Sequence, residues 1–176
     1  MTKKILWGAG ILVILLSIYV IYGFMTHRKH SPPETINIKS GNTEITIDYC
    51  RPAKKGREIF GGLVPYDTYW RTGANEATFI NFSQDVNFGG ESVKAGKYRL
   101  YSVPGLEKWQ IVLNTELEEW GAFEPDYDMD VLKVTVPSGK TNSVVEQFKI
   151  DLIENEDGVD LTLAWDETIV SVPINI

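Results

Sequence analysis

The sequence predicts an all-β domain, an antiparallel β-sandwich, preceded by one N-terminal transmembrane helix. Three observations predict it. Residues 5–25 form an apolar run without a charge. Beyond residue 35, apolar side chains recur at every second position, the period of a half-buried strand. These later runs are short, and glycine, proline and aspartate separate them with no long stretch of helical period between.

The run ILWGAGILVILLSIYVIYGFM, Ile5 to Met25, would span roughly 30 Å as a helix, which matches a bilayer's hydrocarbon core. Trp7 near one end and Tyr19 and Tyr22 near the other suit the two interfaces. A cleaved signal peptide fits less well: its apolar stretch is about 7–15 residues, and no small-residue cleavage site follows here. No cysteine closes the run, which disfavours a lipoprotein. Lys3 and Lys4 precede it and Arg28 and Lys29 follow it, so flanking charge gives only a slight orientation bias. Residues 1–4 read as a cytoplasmic N-terminus, which places the rest of this single-pass chain in the periplasm or outside the cell. Residues 26–34, with Pro32-Pro33, read as a short stiff linker, and 35–176 as one domain.

Ile36 and Ile38 open the alternation, and Ile45, Ile47 and Tyr49 continue it. Phe79, Ile80 and Phe82 form the next run. Val86, Phe88 and Val93 around Gly89-Gly90 read as a hairpin whose glycines supply positive φ. Tyr98, Leu100 and Tyr101 lead to Val103-Pro104-Gly105, and Trp109, Ile111 and Leu113 follow. A run from Val131 to Val136 is expected to stop at Pro137-Ser138-Gly139. Phe148 to Leu152, a turn at Asp157-Gly158, Leu161 to Trp165 and Ile169 to Ile174 complete nine or ten short strands. That count suits a sandwich, with a jelly roll one arrangement that satisfies it. Glu116–Trp120 has room for a single helical turn.

Composition excludes several chemistries. Taking Lys3, Lys4, Arg28 and Lys29 from the 17 Lys+Arg leaves 13 basic against 24 acidic groups, a net of −11, which argues against nucleic-acid binding. Cys50 is the only cysteine, so no disulfide forms within the chain and no cysteine cluster can hold a metal. Both histidines, His27 and His30, precede the domain. Ser-His-Asp and Cys-His nucleophiles and His-ligated zinc are therefore not expected within it.

Alternation fails between Tyr49 and Thr78, where the chain reads YCRPAKKGREIFGGLVPYDTYWRTGANEAT. Arg51, Lys54, Lys55, Arg57 and Arg71 place five of the domain's 13 basic groups here. A long irregular stretch inside a small domain is more often functional than ornamental. Arg51, Lys54, Arg57, Trp70, Arg71, Asn75 and Glu76 are accordingly the candidate ligand-binding residues, a set suited to a carboxylate, phosphate or sugar acid. The competing reading pairs Arg51, Arg57 and Arg71 with the domain's own carboxylates and has Tyr66, Tyr69 and Trp70 close one end of the sandwich.

Several pieces of the chain carry a resemblance: RPAKKGREIFGGLVPY (51–66), WRTGANEAT (70–78), AGKYRLYSVPG (95–105), Trp120-Gly121 with Tyr127-Asp128, and the closing SVPI (171–174). In these the chain resembles the bacterial family catalogued as domain of unknown function 2911, from about Ile36 to the C-terminus. The resemblance implies an exported or membrane-associated protein and brings no activity with it. The family has glycine where this chain has Asp67, so a differently built turn is expected there.

Asp126, Asp128 and Asp130 have alternate spacing, but Val131 and Pro137 occupy the glycine and glutamate positions of a calcium loop, so a solvated acidic loop is the preferred reading. Glu58 and Glu76 are the pair nearest the basic segment for glycoside hydrolysis. Trp109, Trp120 and Trp165 are read as core. Together these point to a noncatalytic, membrane-tethered binding module for an anionic or polar ligand or an envelope partner, without metal or cofactor. A glycan hydrolase and a purely structural envelope protein are the alternatives.

Overall fold

The computed structural model describes the backbone of residues 2–117 and 120–176, with their side chains except at residues 2–6, 8, 9, 21 and 24–28. Among the described residues there is one α-helix, α1 (Thr2–His30), followed by β1 (Pro33–Ser40), β2 (Thr43–Cys50), β3 (Thr78–Phe82), β4 (Val86–Phe88), β5 (Glu91–Val93), β6 (Gly96–Val103), β7 (Lys108–Asn114), β8 (Asp130–Asn155) and β9 (Gly158–Asn175). All pairings among these strands are antiparallel. One hydrogen-bonded sheet results, in the order β1-β2-β3-β6-β7-β8-β9-β4-β5.

The all-β antiparallel expectation is met, but the strands are cut differently. β8 does not stop at Pro137. Before that residue it pairs with β7 (Lys108↔Pro137), and after it with β9 (Ser138↔Val170). The proline stands where the ladder passes from one neighbour to the other, a position that tolerates a missing N–H. β9 likewise runs through the expected gap after Trp165. Asp166 takes a φ of 56° there, and the register jumps between Lys140, Val145 and Lys149. Such bulges bend and twist a strand pair. The long hairpin coils until Gly158 abuts the Ile174 carbonyl oxygen, which leaves no room for a Cβ.

Bending along β8 turns one sheet into a sandwich-like body whose two faces share a core. Tyr49 of β2 meets Phe148 of β8 edge-on at 5.8 Å, and Phe82 of β3 meets Phe88 of β4 at 6.2 Å. In the Gly89-Gly90 hairpin both residues have positive φ, and Gly89 packs so closely on Val134 that a Cβ would come within 2.9 Å of it.

At the N-terminal end, α1 has 29 residues and a length of roughly 43 Å. Trp7 and the apolar side chains from Ile11 to Val20 are exposed. Among the described residues no helix is long and apolar enough to cross a membrane. The longest unbroken series of described side chains in α1 is Gly10 to Val20, so the span expected over 5–25 rests on the sequence. The helical turn expected at Glu116–Trp120 falls on residues 118 and 119, outside the described residues. Residues 26–34, expected as a linker, are divided between helix and sheet, since α1 ends at His30 and β1 begins at Pro33. Both intervening carbonyls are bonded: Asn75 Nδ2 donates to Ser31 O (3.3 Å) and Arg51 N to Pro32 O (3.0 Å).

Candidate functional site

Residues 51–77 close one end of the folded sheet. Ala53 bridges to Gln147 of β8, Trp70 to Ser102 of β6, and Glu76 to Trp120. Between these ties Ile59, Phe60, Val64 and Trp70 are buried in the common core. Trp70 stacks on Trp165 (5.9 Å, 17°) and meets Trp109 edge-on (5.9 Å), while Phe60 lies 4.8 Å from Trp109. Each such aromatic pair contributes about 0.5–1.5 kcal/mol beyond burial. The alternation fails because the backbone turns back repeatedly: Lys55, Asp67, Thr72 and Asn75 all have φ between 51° and 59°. Thr72, fully buried and β-branched, is held there by Ser102 Oγ (2.8 Å) and by Thr78 Oγ1, which donates to its carbonyl (2.7 Å).

This path distributes the seven candidate residues among three environments. Arg51 and Lys54 are taken by carboxylates: Arg51 Nε lies 3.1 Å from Glu34 Oε2, and Lys54 Nζ lies 2.5 Å from Asp166 Oδ2. For these two the packing role holds. They staple the segment to β1 and to the β9 bulge.

Arg57, Trp70, Arg71 and Asn75 line one cavity of about 350 Å³, together with Ser31, Leu63, Val64 and Trp165. Arg57 donates to carbonyls of its own turn, Ala53 O (2.6 Å) and Lys54 O (2.9 Å). Arg71 is half-buried; among the described residues it donates only to Asn75 O (3.3 Å), and no carboxylate bonds either arginine. Burial lowers the Arg71 pKa from its usual value; the Tyr69 phenol opposes this, and Arg99 adds a smaller push downward. Trp165 is 1% exposed, and its indole nitrogen is the single buried side-chain polar atom among the described residues without a hydrogen-bond partner. The cavity therefore gathers two guanidinium groups and an amide beside the buried Trp165 ring, and among the described residues no Asp or Glu lines it.

Glu76 faces elsewhere. It lines a second cavity of about 320 Å³ with Glu34, Asp48, Tyr49, Cys50 and Lys97. The Cys50 thiol donates to Glu76 Oε2 (3.2 Å) and is pushed up to about 11, by burial first and then by that carboxylate. Such a thiol is a poor nucleophile at neutral pH. The carboxylate pair considered for hydrolysis does not meet in the arginine cavity, which neither Glu58 nor Glu76 lines.

Two features escaped the sequence reading. Trp109 and Trp165 are core, as expected, whereas Trp120 is 44% exposed; Trp165 also lines the cavity. Arg99 is 2% exposed in β6, where its guanidinium donates to Tyr69 Oη (2.5 Å) and Phe123 O (2.6 Å) under the loop that follows β7. Two of the three aspartates of the acidic loop are structural: Asp126 caps the 3-10 turn Tyr127–Met129, and Asp130 accepts from Tyr101 (2.7 Å) and Asn114 (2.8 Å).

A family model described as Protein of unknown function (DUF2911) matches residues 31–174. The chain belongs to the DUF2911 family. No curated protein and no solved structure matches it. The DUF2911 match begins at Ser31, the first residue after α1, and takes in both cavities. Asp67, where a differently built turn was expected, adopts a φ of 57°, a left-handed conformation that glycine takes easily.

Proposed function

We propose that this DUF2911 chain is a membrane-anchored, noncatalytic binding module whose extracytoplasmic domain takes an oxyanion, a carboxylate or phosphate, in the Arg57–Arg71–Trp165 cavity. The observation that carries the reading is Arg71, a half-buried cation in a cavity wall that, among the described residues, bonds the Asn75 carbonyl, lies near the Tyr69 phenol and Arg99, and meets no carboxylate. A buried charge without a counterion is costly. An anion in the cavity offsets that cost, and a small inward shift of the anion would give the buried, unpartnered Trp165 N–H an acceptor. Arg57 is already oriented by its two carbonyl bonds and adds a second charge. The anchor rests on the uncharged run from Ile5 to Met25.

The test is thermal unfolding of the full chain in neutral detergent against glucuronate, galacturonate and inorganic phosphate. A bound anion at several times its Kd raises the midpoint by about 2–4 °C. Arg71→Gln is expected to abolish that shift while leaving the unliganded midpoint within a few degrees. No shift with any oxyanion, or an undiminished shift in the variant, counts against the reading.

A further inference from the structure

We infer that the anion this cavity takes is the phosphate of a lipid headgroup in the same membrane that holds α1. The inference rests on the anion-site and anchor readings above and adds the ligand's source. Ser31 lines the cavity and directly follows the last residue of α1, so one Cα step of about 3.8 Å separates the wall from the helix. The apolar run ends at Met25, and Thr26–His30, still helical, advances about 7 Å. A headgroup layer is about 5–7 Å thick. The cavity wall thus emerges where that layer ends, at the level of the lipid phosphates' outer edge.

The attachment is stiff. Ser31 and Pro32 have their carbonyls bonded to Asn75 and Arg51, and β1 starts at the next residue, so no slack lets the domain stand away. The cavity rim also has the character of a headgroup site, with Leu63 45% exposed beside Arg57 and with Lys55 exposed in the same loop. The domain elsewhere is acidic, with 24 Asp+Glu in the chain. An anionic bilayer therefore repels the rest of its surface and attracts this rim, and the field favours the orientation that α1 imposes.

The test places the full chain in nanodiscs of phosphatidylcholine alone or with phosphatidylglycerol added, and follows thermal unfolding of the domain by tryptophan emission. Phosphatidylglycerol is expected to raise the midpoint by about 2–4 °C in the wild type, and the shift should vanish in Arg71→Gln. Trp165→Phe, which removes the N–H and keeps an aromatic ring, should reduce the shift and serves if the arginine variant does not fold. Inorganic phosphate added to phosphatidylcholine discs separates the two readings. A shift with free phosphate but none with phosphatidylglycerol overturns the lipid source and leaves the anion site standing. No shift in either arm overturns both, and a lipid shift that survives both substitutions reduces the effect to surface charge.

Discussion

The two cavities flanking Asn75 and Glu76 are of similar size and opposite character. On the Asn75 side, Arg57 and Arg71 present donors with few acceptors, and the Trp165 ring, whose buried N–H has no partner among the described residues, forms part of the wall. On the Glu76 side, Glu34, Asp48 and Glu76 present acceptors, and Cys50, Tyr49 and Arg51 already engage Glu76 and Glu34. The second cavity is internally satisfied and contributes stability. The first holds charge and an N–H that the domain leaves unmatched. Adjacent residues diverge because Asn75 has a φ of 59°, which reverses the chain between one wall and the next. Function is therefore to be sought where the polar groups are incomplete, not where they are most numerous.

The most severe way to break this contrast is Gly73→Ala. Gly73 has a φ of 152°, and a Cβ there would approach the Cys50 carbonyl oxygen to 2.9 Å, pressing the wall of one cavity into the other. A loss of about 3 kcal/mol is expected in denaturant unfolding. A change below 1 kcal/mol would show that the two walls are not in contact.

Alkaline pH reaches the satisfied cavity through Cys50. Because the folded Cys50 thiol is raised from 9.0 to about 11, the folded state holds its proton more tightly than the unfolded one. Its contribution, at most about 2–3 kcal/mol, is intact below pH 9 and lost as pH rises through about 11. Cys50→Ala should flatten that part of the stability profile. Alkylation of native Cys50 at pH 8 should run about 100-fold slower than that of an unfolded control, and equal rates would remove the proposed burial of the thiol.

Arg71→Gln sharpens the comparison from the other side. It breaks no ion pair among the described residues, so unliganded stability should change by less than about 1 kcal/mol while oxyanion binding disappears. Asp67→Gly is the mildest change. Relief of the left-handed strain and the added freedom of the unfolded chain nearly cancel, and the unfolding free energy should change by no more than about 0.5 kcal/mol in denaturant unfolding.

Alternation along β2, β6 and β7 made the strands legible, and Gly89-Gly90 made its hairpin legible, because side-chain period and turn chemistry are local. Pro137 misled as a terminator, since local sequence does not reveal that the ladder changes neighbours there. Pro32-Pro33 misled as a linker, because the carbonyl bonds to Asn75 and Arg51 are long-range. In the site, crowding of cations marked the segment correctly, but charge alone could not say that Arg51 and Lys54 meet Glu34 and Asp166 while Arg71 meets neither. Arg99 and the second role of Trp165 depend on what packs over their strands, which periodicity does not record.

The unmatched Trp165 N–H gives the most direct test. With 15N-labelled tryptophan in the full chain, titration with phosphate or glucuronate should move the Trp165 indole resonance downfield to saturation, and Arg71→Gln should leave it still. A Trp165 signal that stays fixed while the anion measurably binds would contradict the assignment of this cavity.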